Sequence, residues 1–120
     1  MSEKVEVELD IFSGRPNPTW TLSDADGRFF LKLLDKLATT STREFSGNLG
    51  YRGFTVEVSN ATEKERVRIQ NGLVHVRAAN KEIYYNDHAR TLERWLFESG
   101  KPFLESKLLQ VIESEFPDSR

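Results

Sequence analysis

The stretch Phe12-Ser13-Gly14-Arg15-Pro16-Asn17-Pro18-Thr19-Trp20 carries the densest recognition chemistry in the sequence. Arg15 offers a planar fork for a carboxylate or phosphate, Asn17 an amide, and Trp20 a face for stacking. Two prolines and a glycine restrict the loop, so Ser13, Arg15, Asn17 and Trp20 are presented at reduced entropic cost. Tyr51 and Arg52, from Gly50-Tyr51-Arg52-Gly53, add an aromatic and a cation to this candidate binding set. A purely structural role competes with recognition. In that case the loop is a rigid corner, Asn17 bonds the backbone, Arg15 pairs with an acid and Trp20 fills the core. Binding residues concentrate on loops held by a scaffold, which sustains the functional alternative.

A second set lies further along. Arg66, Arg68, His75 and Arg77 fall on the polar side of one hairpin, and residues 66–94 hold six basic against three acidic side chains. An anion site would use that excess, and a ligand-binding protein or small enzyme for an anionic small molecule would employ Arg15, Arg68, His75 or His88. Cross-strand ion pairing with Glu6, Glu8, Asp10 and Glu57 accounts for the same residues without a ligand. Arg66 opposite Arg77 is unfavourable unless an acidic strand lies alongside, which favours pairing. Such exposed pairs contribute only about 0–1 kcal/mol each.

Catalytic signatures are not found: no Gly-rich phosphate loop, no dinucleotide fingerprint, no Gly-x-Ser-x-Gly elbow and no His-Glu-x-x-His helix. The only histidines are His75 and His88, on different expected elements, and there is no cysteine for a thiolate site or disulfide. No metal or cofactor is expected, no catalytic residue is assigned, and whether the chain is an enzyme stays open.

The elements that must position these groups follow from periodicity. Val5, Val7, Leu9 and Ile11 alternate with Glu6, Glu8 and Asp10, which predicts a half-buried first strand. Thr19 to Leu22 reads as a short extended piece. Ser23 caps a helix with Phe30, Leu33, Leu34 and Leu37 on one face. Residues 39–48 read as a polar, mobile connection. Phe54 to Val58 alternates again. Asn71-Gly72 joins two alternating segments, the strongest short-range hairpin signal, and pairs Gln70 with Leu73, Ile69 with Val74, Arg68 with His75, Val67 with Val76 and Arg66 with Arg77. Lys81 to Tyr85 forms another strand. Asp87 caps a helix with Ala89, Leu92, Trp95 and Leu96 on one face, leaving Arg90, Glu93 and Arg94 solvated. Gly100 ends it, and Pro102 suits the first turn of a last helix striped by Leu104, Leu108, Val111 and Ile112. Successive strands without intervening helices argue for an α+β fold: a mostly antiparallel sheet of four to five strands with three helices on one face, in the order β-α-β-β-β-β-α-α.

The chain of 120 residues, 38% hydrophobic and 30% charged, suits one globular domain over residues 1–120. No apolar run approaches the roughly 20 residues of a membrane helix, and the polar start shows no secretory signal, so a cytoplasmic location is expected. A net charge of −2 and an acidic pI of about 5.7 disfavour a general nucleic-acid binder. Leu9-Asp10-Ile11-Phe12 running into Ser-Gly-Arg-Pro-Asn-Pro and on to a tryptophan resembles a group of small, uncharacterised bacterial proteins. Segments Leu49-Gly50-Tyr51-Arg52-Gly53-Phe54 and Leu92-Glu93-Arg94-Trp95-Leu96 look similar to theirs as well. The resemblance implies a bacterial source and carries no activity, ligand or catalytic residue. A non-enzymatic binding or interaction module working through the 15–20 loop is the expectation, as a monomer or homodimer, with a protein or anionic small molecule as partner.

Overall fold

The computed structural model describes residues 3–41, 45 and 50–116. In it β1 (Lys4–Leu9) and β2 (Thr19–Thr21) precede α1 (Asp24–Asp35) and β3 (Ala38–Thr39). Then come β4 (Phe54–Ser59), β5 (Lys64–Gln70), β6 (Leu73–Ala78), β7 (Lys81–Asn86), α2 (Thr91–Gly100) and α3 (Ser106–Glu113). Short 3-10 turns at His88–Arg90 and Lys101–Phe103 introduce the last two helices.

Among the described residues one sheet holds seven strands in the order β2-β1-β4-β5-β6-β7-β3, each pair antiparallel. This corrects the expected four to five strands and the order in which one strand precedes the first helix. The two unexpected strands are the edges. β2 has three residues and β3 two, too short for a period-two pattern. Each exists because a neighbour offers a free edge: Thr21, Trp20 and Thr19 face Glu6, Val7 and Glu8, and Ala38 and Thr39 face Asn86 and Tyr85. The expected polar connection thus begins in a strand, and residues 42–44 and 46–48 of it lie outside those described.

The hairpin register agrees with the pairing read from the sequence at all five positions. Asn71 and Gly72 both adopt positive φ, as a two-residue turn of this hand demands. The acidic strand that Arg66 needs is present: Glu57 of β4 stands opposite Arg66, and Glu82 of β7 opposite Arg77.

Alternate strand residues build the core. Val5, Val7, Leu9, Val56, Val58, Val67, Ile69, Val74 and Val76 are buried against Phe30 and Leu34 of α1, Leu92, Leu96 and Phe97 of α2, and Ile112 of α3. Ser23 caps α1 as expected, its hydroxyl accepting from the Asp26 amide at 3.1 Å. The chain after α2 departs from expectation. Pro102 sits in the 3-10 turn, α3 starts only at Ser106, and Val111 is 47% exposed while Leu104, Ile112 and Phe116 are buried. Among the described residues no helix is long and apolar enough to cross a membrane.

Candidate functional site

At the end of β1 the ladder to β4 continues past the regular strands. The Asp10 amide donates to the Gly53 carbonyl at 2.9 Å, and the Arg52 amide to the Asp10 carbonyl at 2.8 Å. Gly53 has φ +86°, and a Cβ there would fall 2.1 Å from the Ile69 carbonyl oxygen, so only glycine lets the chain pass.

Asn17 closes the loop. Its Oδ1 accepts from the amides of Ile11 (3.0 Å) and Phe12 (2.7 Å), and its Nδ2 donates to Glu8 Oε2 (2.8 Å). Arg52 binds the two loops together. It donates through Nε (3.2 Å) and Nη2 (2.9 Å) to Asp10 Oδ1, through Nη2 to the Phe12 carbonyl (3.0 Å), and through Nη1 to the Gly50 carbonyl (3.1 Å). Asp10 is therefore paired on the spot, and the side-chain bonds to the Ile11 and Phe12 backbone come from Asn17 and Arg52, not from Arg15.

Trp20 is buried. Its indole donates to Ser99 Oγ at 3.1 Å, meets Phe54 edge-on and stacks on Phe103 with centroids 6.2 Å apart. Tyr51 turns inward too, and its hydroxyl donates to Glu93. Burial first, and then the Glu93 charge, push the Tyr51 hydroxyl far above the ordinary tyrosine range.

Ser13 and Arg15 remain at the surface. The Arg15 guanidinium lies over the Phe12 ring, 3.8 Å from its centroid, and forms no ion pair among the described residues. Beside it opens a groove of about 400 Å³ lined by Phe12, Arg15, Pro16, Pro18, Phe103, Leu104, Glu105 and Leu108. Phe103 is 61% exposed there. The six candidate residues thus divide: Ser13 and Arg15 face solvent, Asn17 and Arg52 hold the loops, and Trp20 and Tyr51 anchor them to the helices.

The second candidate set does not converge on this groove. Arg68 and His75 are cross-strand neighbours, but Arg68 lies under the Phe45 ring at 4.3 Å. His75 stacks on Tyr84 and shares a 2.9 Å contact with Glu82. His88 sits apart, exposed in the turn after β7. Among the described residues no group of three or more His, Cys, Asp or Glu side chains could hold a metal ion.

Arg90 and Glu93, expected at a solvated face, instead form a buried network. Glu93 is 0% exposed and takes a two-pronged bond from Arg90, Nε to Oε1 at 3.0 Å and Nη2 to Oε2 at 2.9 Å. Arg90 also donates to the Glu115 carbonyl and lies over Phe116, tying down the end of the described chain. Asp87 accepts from the amides of Leu92 (2.8 Å) and Glu93 (3.0 Å), so it caps α2 from four residues before its start. Burial raises the Asp87 carboxyl above its ordinary value, against the lowering by those two amides. Ala89 and Arg90 take positive φ to make this reach. The sequence did hold a signal for Glu93: helical spacing puts position 93 on the same face as Leu92, Leu96, Phe97 and Gly100, all buried.

Comparison with protein-family models, with curated proteins and with solved structures returns no match.

Proposed function

We propose that the chain is a non-enzymatic interaction module that receives an extended protein segment in the groove between the 12–18 loop and the Phe103–Leu108 side. The observation that carries this is the division of labour in the loop. Asn17 and Arg52 hold the Ile11 and Phe12 backbone, so the Arg15 guanidinium is left over the Phe12 ring at the surface. Phe12, Pro16, Pro18, Phe103 and Leu108 suit an aliphatic or aromatic side chain, and Arg15 suits a carboxylate next to it. Ser13 and Arg15 would touch the partner. Asn17, Trp20, Tyr51 and Arg52 would hold the presenting surface in shape.

Selection of a random peptide display library on the immobilised chain tests this, with the variant Arg15→Ala/Phe103→Ala as counter-selection. Enrichment of sequences pairing a large apolar residue with a neighbouring Asp or Glu, and lost on the variant, is the expected outcome. Recovery of no common pattern, or of one that binds the variant equally, overturns the proposal. Both substituted side chains are exposed or partly so, and a retained melting temperature shows that the variant is folded.

A further inference from the structure

Two neighbouring residues reach the two sides of the groove by opposite routes. Arg52 holds the 12–18 loop through Asp10 Oδ1 and the Phe12 carbonyl. Tyr51 turns the other way: its hydroxyl donates to Glu93, Glu93 takes the two-pronged bond of Arg90, and Arg90 donates to the Glu115 carbonyl. Phe116 beside it is buried, meeting Tyr51 edge-on at 6.5 Å, stacking on Phe97 at 5.9 Å and lying beneath the Arg90 guanidinium at 4.2 Å. The residues just past α3 are thus gripped by the network, while those at its start, from Phe103 to Leu108, line the groove. A helix of eight residues is about 12 Å long and braced by its own hydrogen bonds, so it transmits a displacement as a rod. Within α3 only Ile112 is buried, which gives the rod one deep anchor of its own.

We infer that Tyr51, Glu93 and Arg90 are positioning residues for the groove. By seating Glu115 and Phe116 they fix the tilt of α3 about Ile112, and with it the separation of the Phe103–Leu108 side from the 12–18 loop. None of the three lines the groove. Because Tyr51 and Arg52 are adjacent, one short piece of backbone ties both sides to the same point. The coupling runs through hydrogen bonds and one rigid element. Glu93 is fully buried, so no solvent replaces a missing donor, and loss of the Tyr51 hydroxyl displaces Glu93 and Arg90. α3 then tilts and the groove widens. This role rests on the reading of the groove as the binding surface. It makes the grip on a partner's apolar side chain depend on residues that never touch it.

The chain has no cysteine, so Ser13→Cys and Lys107→Cys, both at exposed positions, place one spin label on each side of the groove. Dipolar electron-spin spectroscopy on the full chain then reads the distance across the groove without any ligand. A single narrow distance is expected in the otherwise unchanged chain. Tyr51→Phe and Phe116→Ala, introduced separately, are each expected to lengthen and broaden it. Val67→Ala, a core change outside the network, is expected to lower the melting temperature and leave the distance as it was. Thermal melts check that each variant is folded at the temperature of measurement, and Tyr51→Phe, which keeps the ring, carries the test should Phe116→Ala fail to fold. Unlabelled Tyr51→Phe is expected to bind a peptide recovered in the selection roughly 3- to 30-fold more weakly, with every groove residue unchanged. A distance that stays the same in Tyr51→Phe overturns the inference, as does an equal change in Val67→Ala. So does a widened groove that holds the peptide as tightly as before. A selection that recovers no peptide overturns the groove as a binding surface, while the ligand-free distances still decide whether the network sets its width.

Discussion

Asn17 engages both ends of its amide, accepting from two backbone donors and donating to Glu8, and no other residue type of that size can do both. Replacing it by alanine leaves the Ile11 and Phe12 amides without their acceptor. The expected cost is about 1–3 kcal/mol in urea denaturation, against less than about 0.5 kcal/mol for Arg15→Ala. Equal effects would mean that the loop is not held through Asn17. Tyr51 makes a prediction with a definite sign. Its folded pKa lies above the ordinary 10.0, so above about pH 10 the unfolded chain has released a proton that the folded chain retains. The stability this proton contributes is complete below that value and is lost as pH rises beyond it. Urea midpoints of the wild type should therefore fall between about pH 9.5 and pH 11.5, and those of Tyr51→Phe should fall less. At neutral pH the same variant is expected to lose about 1–3 kcal/mol, because buried Glu93 loses a donor.

At the level of elements, legibility tracked how local the determinants are. The β5–β6 hairpin carries its instructions within itself: a two-residue turn that accepts positive φ, and flanking residues whose polarity matches pair by pair. The Ser23 cap is equally local. β2 and β3 have no such internal signal, being strands only because β1 and β7 leave edges to be covered. The sequence marks Asp87 as a cap, but the positive φ at Ala89 and Arg90 that lets it reach the α2 amides comes from the turn around it. Gly100 shows how a contact can reverse a local rule. Gly→Ala inside a helix ordinarily stabilises by about 1 kcal/mol. Here the added Cβ would lie 2.3 Å from the Trp20 ring, so Gly100→Ala is expected to destabilise by about 1–3 kcal/mol through overpacking. Thermal denaturation with indole fluorescence reads both the loss and the displaced Trp20; a raised melting temperature would show that the ring yields freely.

Across the whole molecule, the near-neutral total hides a segregation that becomes meaningful only on folding. Glu6 is brought beside Glu57 because β1 pairs with β4 across a long separation in sequence, while the local β5–β6 hairpin sets Arg66 beside Arg77. The same long-range pairing carries the loop of Asn17 to Arg52, and the docking of α2 carries Tyr51 to Glu93. By itself the sequence determined the α+β class, the alternating core faces of the strands, the hairpin register and the cap of α1. These depend on periods and turns that span a few residues. Tertiary structure alone decided that the sheet has seven strands, that Asn17 and Trp20 hold the loop while Arg15 stays at the surface, and that Glu93 is buried. The outer strand β3, the seat of Trp20 and the burial of Glu93 depend on partners supplied from far along the chain, whereas Asn17 finds Glu8, Ile11 and Phe12 within nine residues. The burial that makes the distant partners worth having exists only once the core has closed.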